Sequence, residues 1–240
     1  MEPHKGSTEL LVSIDFGSTL TKVQYKALNN QSGLDNQSYS CVFNPGSGVA
    51  TSGVVPSVIQ YSRAGDVVGW GFDPVVAGAV VITGLKLCLP HEDDRRVDPK
   101  MYPVIGQSIQ RRHDIGKTVV MVLTDFMTRL WQLCKPQIIG NEPDVSWRLI
   151  ITHPVGWNID KLKRAIDAAI VAPDEGNSTY TVCFLAEAEA ALIAVLDAQG
   201  IQLGDDDNAP CGQETQFYDG ETVVVVDFGG LTVLDSSRKQ

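Results

Sequence analysis

Long apolar runs are missing from this chain of 240 residues. No stretch approaches the roughly 18 uncharged apolar residues that a bilayer-spanning helix needs, so no membrane span is expected. The opening residues Met1-Glu2-Pro3-His4-Lys5-Gly6-Ser7-Thr8 are polar and carry no apolar core of a secretory leader. Cysteine is sparse and poorly spaced for metal. Cys41, Cys88, Cys134, Cys183 and Cys211 include no CxxC pair, and their odd number argues against a disulfide framework. Buried free thiols in a reducing cytoplasm are the expected state. Positive charge is also short: 19 Lys and Arg stand against 29 Asp and Glu, a formal charge of −10. Such a surface repels phosphate backbones, so a general nucleic-acid interface is not expected. A small nucleotide remains compatible, because its site is local and can carry a metal ion. No Ser/His/Asp or Cys/His set stands out as a nucleophile arrangement.

Present instead is an ordinary globular composition, 43% apolar and 20% charged, in a chain long enough for one large domain or two small ones. Leu10–Phe16 reads as a strand, Gly17-Ser18-Thr19 as a turn, and Thr21–Leu28 as a second strand with Val23, Tyr25 and Ala27 alternating against polar neighbours. A polar loop, Asn29–Ser40, precedes strands predicted at Val54–Tyr61 and Val67–Gly71. Pro74–Val81 is apolar and reads as helix, and His91–Lys100 as a charged surface segment. Thr118 is placed to cap a helix from Val119 to Cys134 whose apolar residues recur at helical spacing, with Pro136 as its stop. A β-rich run at Trp147–Thr152 precedes a helix at Ile159–Val171. A strand at Thr181–Leu185 leads into an Ala-rich helix at Ala186–Ala198. After an acidic loop, Thr222–Phe228 reads as the central strand of a covered sheet, and Asp235–Gln240 as a frayed tail. Strands first, then strands alternating with helices, predict an α/β fold, a mixed sheet flanked by helices. Gly116-Lys117-Thr118 is no phosphate loop, because Arg111 stands where that motif needs glycine.

One element recurs. Ile14-Asp15-Phe16-Gly17-Ser18-Thr19 and Val226-Asp227-Phe228-Gly229-Gly230-Leu231-Thr232 each set an apolar strand before an aspartate, an aromatic, a glycine and a threonine. A carboxylate at a strand end can hold hydrated Mg²⁺. Glycine lets a backbone approach phosphate closely, and turn N–H groups and hydroxyls can bond its oxygens. Two such hairpins facing one another would grip one polyphosphate.

This pair resembles the phosphate hairpins of the actin, sugar-kinase and heat-shock-chaperone superfamily. The order of features is most similar to the DnaK-like chaperones, in particular their large divergent relatives in fungi and animals. Val55-Pro56-Ser57-Val58-Ile59 resembles that family's Pro-Ser strand, and Val68-Gly69-Trp70-Gly71 the turn that follows it. Lys86, in Gly84-Leu85-Lys86-Leu87, falls where the family has its catalytic lysine. Ile150-Ile151-Thr152-His153-Pro154-Val155-Gly156-Trp157 resembles the strand leading to the Val-Pro-Ala-Tyr turn. Phe184-Leu185-Ala186-Glu187-Ala188-Glu189-Ala190-Ala191 resembles the Asn-Glu-Pro-x-Ala-Ala helix.

The resemblance implies a ribonuclease H-like, actin-type first lobe over 10–234, with an inserted subdomain at about 61–117 and polar tails at 1–9 and 235–240. It implies a cytoplasmic ATP-binding lobe with ATP or ADP and Mg²⁺ as ligands, and protein clients or co-chaperones as further partners. Asp15 and Asp227 would hold the metal through water. Gly17, Ser18, Thr19, Gly229, Gly230 and Thr232 would line the phosphates. Lys86, Glu187 and Asp227 would be the catalytic set. Each residue also has a plain reading: the aspartates as strand ends, Lys86 as a surface lysine, Glu187 as an acid favoured in a helix's first turn. Leu231 departs from the pattern, putting a Cβ where backbone should touch phosphate, and no second lobe is expected before residue 240. Weak nucleotide binding and little hydrolysis are therefore expected. A non-catalytic interaction module of the same fold and a sugar or metabolite kinase are the alternatives.

Overall fold

The computed structural model describes residues 8–28, 38–46, 52–89, 103–139, 145–155, 157–174, 179–198, 222–228 and 233–239. Alternation builds its main sheet. In β1 (Thr8–Phe16), Leu10, Val12, Ile14 and Phe16 are buried on one side, while Asp15 is exposed. In the later strand Val145–His153, Val145, Trp147, Leu149 and Ile151 repeat that period of two. β2 (Leu20–Leu28) returns antiparallel to β1. β3 (Tyr39–Ser40) and β4 (Val54–Pro56) pair with the far side of β2.

The predicted strand over Val54–Tyr61 is in fact two. β4 stays with the main sheet, and β5 (Ile59–Tyr61) leaves it to form an antiparallel three-stranded sheet between β6 (Val67–Trp70) and β7 (Val80–Ile82). The helix expected at Pro74–Val81 is not formed. Its end is strand β7, and Gln60 captures the backbone before it. Gln60 donates from Nε2 to the Asp73 and Pro74 carbonyls and accepts from the Val76 N–H, at 3.0–3.2 Å. Those contacts satisfy as side-chain bonds what a helix would satisfy internally. A single 3-10 turn, Leu85–Cys88, follows.

The helix α1 (Pro103–Asp114) has no counterpart among the sequence expectations; its Gln-Ser-Ile-Gln-Arg-Arg run gives only a weak apolar stripe. α2 (Val119–Ile139) starts where expected, with Thr118 Oγ1 accepting from the Met121 N–H at 3.2 Å. It does not stop at Pro136, which lies inside the helix. Ile138, one turn beyond Cys134, is buried and extends the apolar stripe. β8 (Val145–His153) runs parallel to β1. α3 (Asp160–Ile166) loosens into a π turn over Asp167–Val171 and a 3-10 turn at Ala172–Asp174. β9 (Thr179–Ala186) is parallel to β8, and α4 (Glu187–Ala198) continues directly from it.

The main sheet therefore reads β3-β2-β1-β8-β9, with β4 also on β2. α2 and α3 cover it, and Phe126 of α2 meets Phe16 with ring centroids 5.8 Å apart. Trp147 lies between Trp131 of α2 at 5.2 Å and Tyr180 of β9 at 5.9 Å. The fold class is α/β, a mixed sheet flanked by helices. No helix among the described residues is long and apolar enough to cross a membrane.

Two expectations about the end of the chain are corrected. Among the described residues β10 (Thr222–Phe228) is not the centre of a covered sheet; it forms a two-stranded ribbon with β11 (Val233–Lys239) and lies against α4. The tail expected to fray from Asp235 is for the most part strand β11. The charged segment His91–Lys100 lies outside the described residues. Cys41, Cys88 and Cys134 are buried free thiols, whereas Cys183 on the edge strand is exposed.

Candidate functional site

Three parallel strands end side by side. Ile14 of β1 aligns with Ile151 of β8, and His153 of β8 aligns with Ala186 of β9. Asp15, Thr152 and Glu187 consequently lie along the carboxyl edge of one sheet, the edge at which ligands of parallel α/β sheets collect.

The turn after Asp15 is closed by the Gly17 N–H donating to the Leu20 carbonyl at 3.0 Å. A Cβ on Gly17 would run into that same carbonyl oxygen, so only glycine fits. Ser57 braces the turn from behind. Its hydroxyl donates to the Gly17 carbonyl at 2.8 Å, lies 2.9 Å from the Thr21 hydroxyl, and its N–H donates to the Thr19 carbonyl at 2.8 Å. Two of the turn's carbonyls are thus held by Ser57, and the Ser18 and Thr19 N–H groups donate to no backbone carbonyl among the described residues. Engaged acceptors and spare donors give the turn a local polarity that favours an anion.

Ser18 adds a second sign. It is 7% exposed, yet its Oγ has no hydrogen-bond partner. A buried hydroxyl left unpaired costs about 1–3 kcal/mol, a cost that an oxygen ligand at the turn would remove. Thr19 is exposed beside it. These features fit a phosphate group. Asp15, exposed at the strand end, accepts from Thr152 Oγ1 at 3.1 Å, which fixes one carboxylate oxygen and leaves the other for hydrated metal. Among the described residues no group of three or more His, Cys, Asp or Glu could hold a metal ion directly. A cation here would rest on few carboxylates and much water, as Mg²⁺ does.

Lys86 and Glu187, far apart in sequence, form an ion pair with side chains 7% and 10% exposed. The surface-lysine reading of Lys86 is overturned. Lys86 is carried by the 3-10 turn after β7, and Gly84 supplies the left-handed conformation (φ 63°) that opens it. Glu187 stands in the first turn of α4, where the helix dipole favours an acid. Two nearly buried charges persist together because each offsets the other's lost hydration. Lys86 also lines a small cleft with Phe16, Thr152, His153, Pro154 and Trp157. Thr152, bonded to Asp15, therefore joins the aspartate to the lysine's cleft. His153 Nδ1–H donates to the Pro154 carbonyl at 2.9 Å, a structural role.

Of the residues proposed from sequence, the structure brings together Asp15, Gly17, Ser18 and Thr19 at one turn, and Lys86 with Glu187 beside it. Asp227 is placed by its backbone near the end of β10, opposite Leu234. Gly229, Gly230 and Thr232 lie outside the described residues. Sequence reasoning assigned no role to Ser57 or Thr152. Both stood inside quoted matches, Val55-Pro56-Ser57 and Ile151-Thr152-His153, so the signal was present without its geometry.

No protein-family model matches this chain, and no curated protein matches it.

Proposed function

We propose that this chain is a nucleotide-binding lobe of the actin and heat-shock-chaperone type, taking Mg²⁺–ATP or ADP at the carboxyl edge of its main sheet. The strand order β3-β2-β1-β8-β9, with β1 antiparallel to β2 and parallel to β8, supports a ribonuclease H-like core. The observation that carries the reading is the braced turn at Gly17, with the unpaired buried hydroxyl of Ser18 within it. Phosphate oxygens would accept from Ser18 Oγ and from the spare N–H groups at Ser18 and Thr19. Asp15 would hold Mg²⁺ through water, with Asp227 as its intended counterpart. The metal would neutralise charge on the phosphates. Lys86 would supply fixed positive charge near the terminal phosphate, and Glu187 would orient that lysine and accept a proton from attacking water.

A second reading, a non-catalytic module that keeps the fold, is favoured by Leu231 in the second turn. Binding without turnover would distinguish it from an ATPase.

The test is calorimetric titration of the full 240-residue chain with Mg²⁺–ATP. Saturable heat is expected, abolished by Asp15→Ala. Ser18→Ala should weaken binding about 2- to 12-fold, the worth of one hydrogen bond, without lowering the stability of the free chain. Absence of heat at millimolar nucleotide, or a Ser18→Ala chain that is stabilised and binds unchanged, would overturn the proposal.

A further inference from the structure

Away from this site, two cysteines remote in sequence meet in the core. Cys41 follows the two-residue edge strand β3, and Cys134 lies in the penultimate turn of α2. Both are fully buried. Their approach is fixed by more than the sulfurs. Gln137, three residues after Cys134 on α2, grips the backbone next to Cys41: its Oε1 accepts from the Val42 N–H at 2.8 Å and its Nε2 donates to the Val42 carbonyl at 3.1 Å. On the other side, the Cys41 N–H donates to the Val23 carbonyl of β2 at 2.9 Å. Both side chains belong to the same buried core cluster within this frame.

We infer that Cys41 and Cys134 form a reversible disulfide that staples α2 to the edge of the main sheet, with a low-molecular-weight disulfide such as oxidised glutathione as electron acceptor. The cover over Cys41 is thin. Tyr39, Ser40 and Val42 around it are exposed, and β3 is too short to hold firmly, so a local opening of this edge admits the oxidant. The Cys134 thiol lowers the pKa of Cys41 by hydrogen bonding, against the opposing effect of burial, and the same contact raises that of Cys134. Cys41, beneath the thinner cover, is the thiol that the oxidant reaches first, and it attacks as its thiolate.

The Cys41 sulfur attacks one sulfur of the small disulfide, forming a mixed disulfide and releasing one small thiol. Cys134 then loses its proton and attacks the Cys41 sulfur, releasing the second small thiol. Two protein thiols have become one S–S bond, giving up two electrons and two protons, and one small disulfide has become two thiols. The product ties Cys41 to α2 covalently, next to Val42, which Gln137 ties to the same helix by hydrogen bonds.

The full chain would be equilibrated with oxidised and reduced glutathione, alkylated under denaturing conditions, and mapped by peptide mass. The expected product is a Cys41–Cys134 linked peptide and two fewer alkylatable thiols. The melting temperature should rise on the order of 10 °C, as expected for cross-linking so long a loop, and dithiothreitol should reverse the change. Cys134→Ala should instead accumulate glutathione on Cys41. Should that variant not fold, the map of the unaltered chain decides alone. Cys41 and Cys134 both fully alkylated after oxidation, or a stable glutathione adduct on Cys41 in the unaltered chain, would overturn the inference.

Discussion

β1 runs between β2 and β8, whereas β10, with nearly the same apolar-Asp-Phe-Gly sequence, pairs among the described residues with β11. The chemistry of the two elements is alike in sequence; their settings differ. Around the first, every other residue of β1 is buried, α2 covers Phe16, and Ser57 fastens the turn from outside the hairpin. The second is, among the described residues, a two-stranded ribbon against α4, and a two-stranded pair by itself is marginal in water. The turn at Gly17 is thus made by its surroundings as much as by its glycine. The aspartate and glycine announce where a backbone can approach a ligand, and the neighbouring strands decide how rigidly it is presented.

The largest effect that sharpens this contrast is expected from the ion pair at the carboxyl edge. Lys86→Met strands Glu187 without its cation and should cost about 3–5 kcal/mol in urea unfolding. Adding Glu187→Leu should restore most of it. A small loss in the single variant would mean that this edge is no firmer than the ribbon. Next comes the glycine of the first turn. Gly17→Ala forces the turn away from the Leu20 carbonyl and should cost about 1–3 kcal/mol. A negligible loss would break the comparison.

The smallest effect concerns the three-stranded sheet. Burial, followed by the charge of Asp125 and the hydrogen bond to it at 2.8 Å, holds the Tyr61 phenol far above its ordinary pKa of 10.0. The folded chain thus keeps a proton that the unfolded chain releases above pH 10, and stability falls as pH rises beyond that value. Tyr61→Phe should lose about 1 kcal/mol at neutral pH and flatten that alkaline decline. An unchanged alkaline slope would show that Tyr61 is not the group responsible.

Much of this was legible before any coordinates. The buried face of α2, from Val119 to Cys134, is the stripe that helical spacing predicts, and the Thr118 cap is where a hydroxyl before an apolar run places it. β1, the turn and β2 follow from alternation interrupted by glycine. The failures share a cause. Pro74–Val81 reads as helix on local composition, but Gln60, remote in sequence, holds its backbone extended. Pro136 ends a helix in isolation, yet buried Ile138 draws α2 past it. Four valines in Thr222–Phe228 argue for a sheet centre, but pairing is a property of neighbours, and among the described residues β10 has β11. At the site, the chemistry-bearing side chains Asp15, Lys86 and Glu187 were named from sequence. Ser57, which braces the turn, and Thr152, which bonds Asp15, were visible only as spelling.

Ser57 sits at a seam, directly after β4 of the main sheet and two residues before β5 of the small one. Its two bonds to the turn, with a third to Thr21 of β2, mean that the small sheet cannot swing against the large one without dragging Gly17 and Thr19 along or tearing those bonds. A tug on the outlying sheet is felt at the aspartate's doorstep, and a ligand that stiffens the turn is felt in return by the sheet.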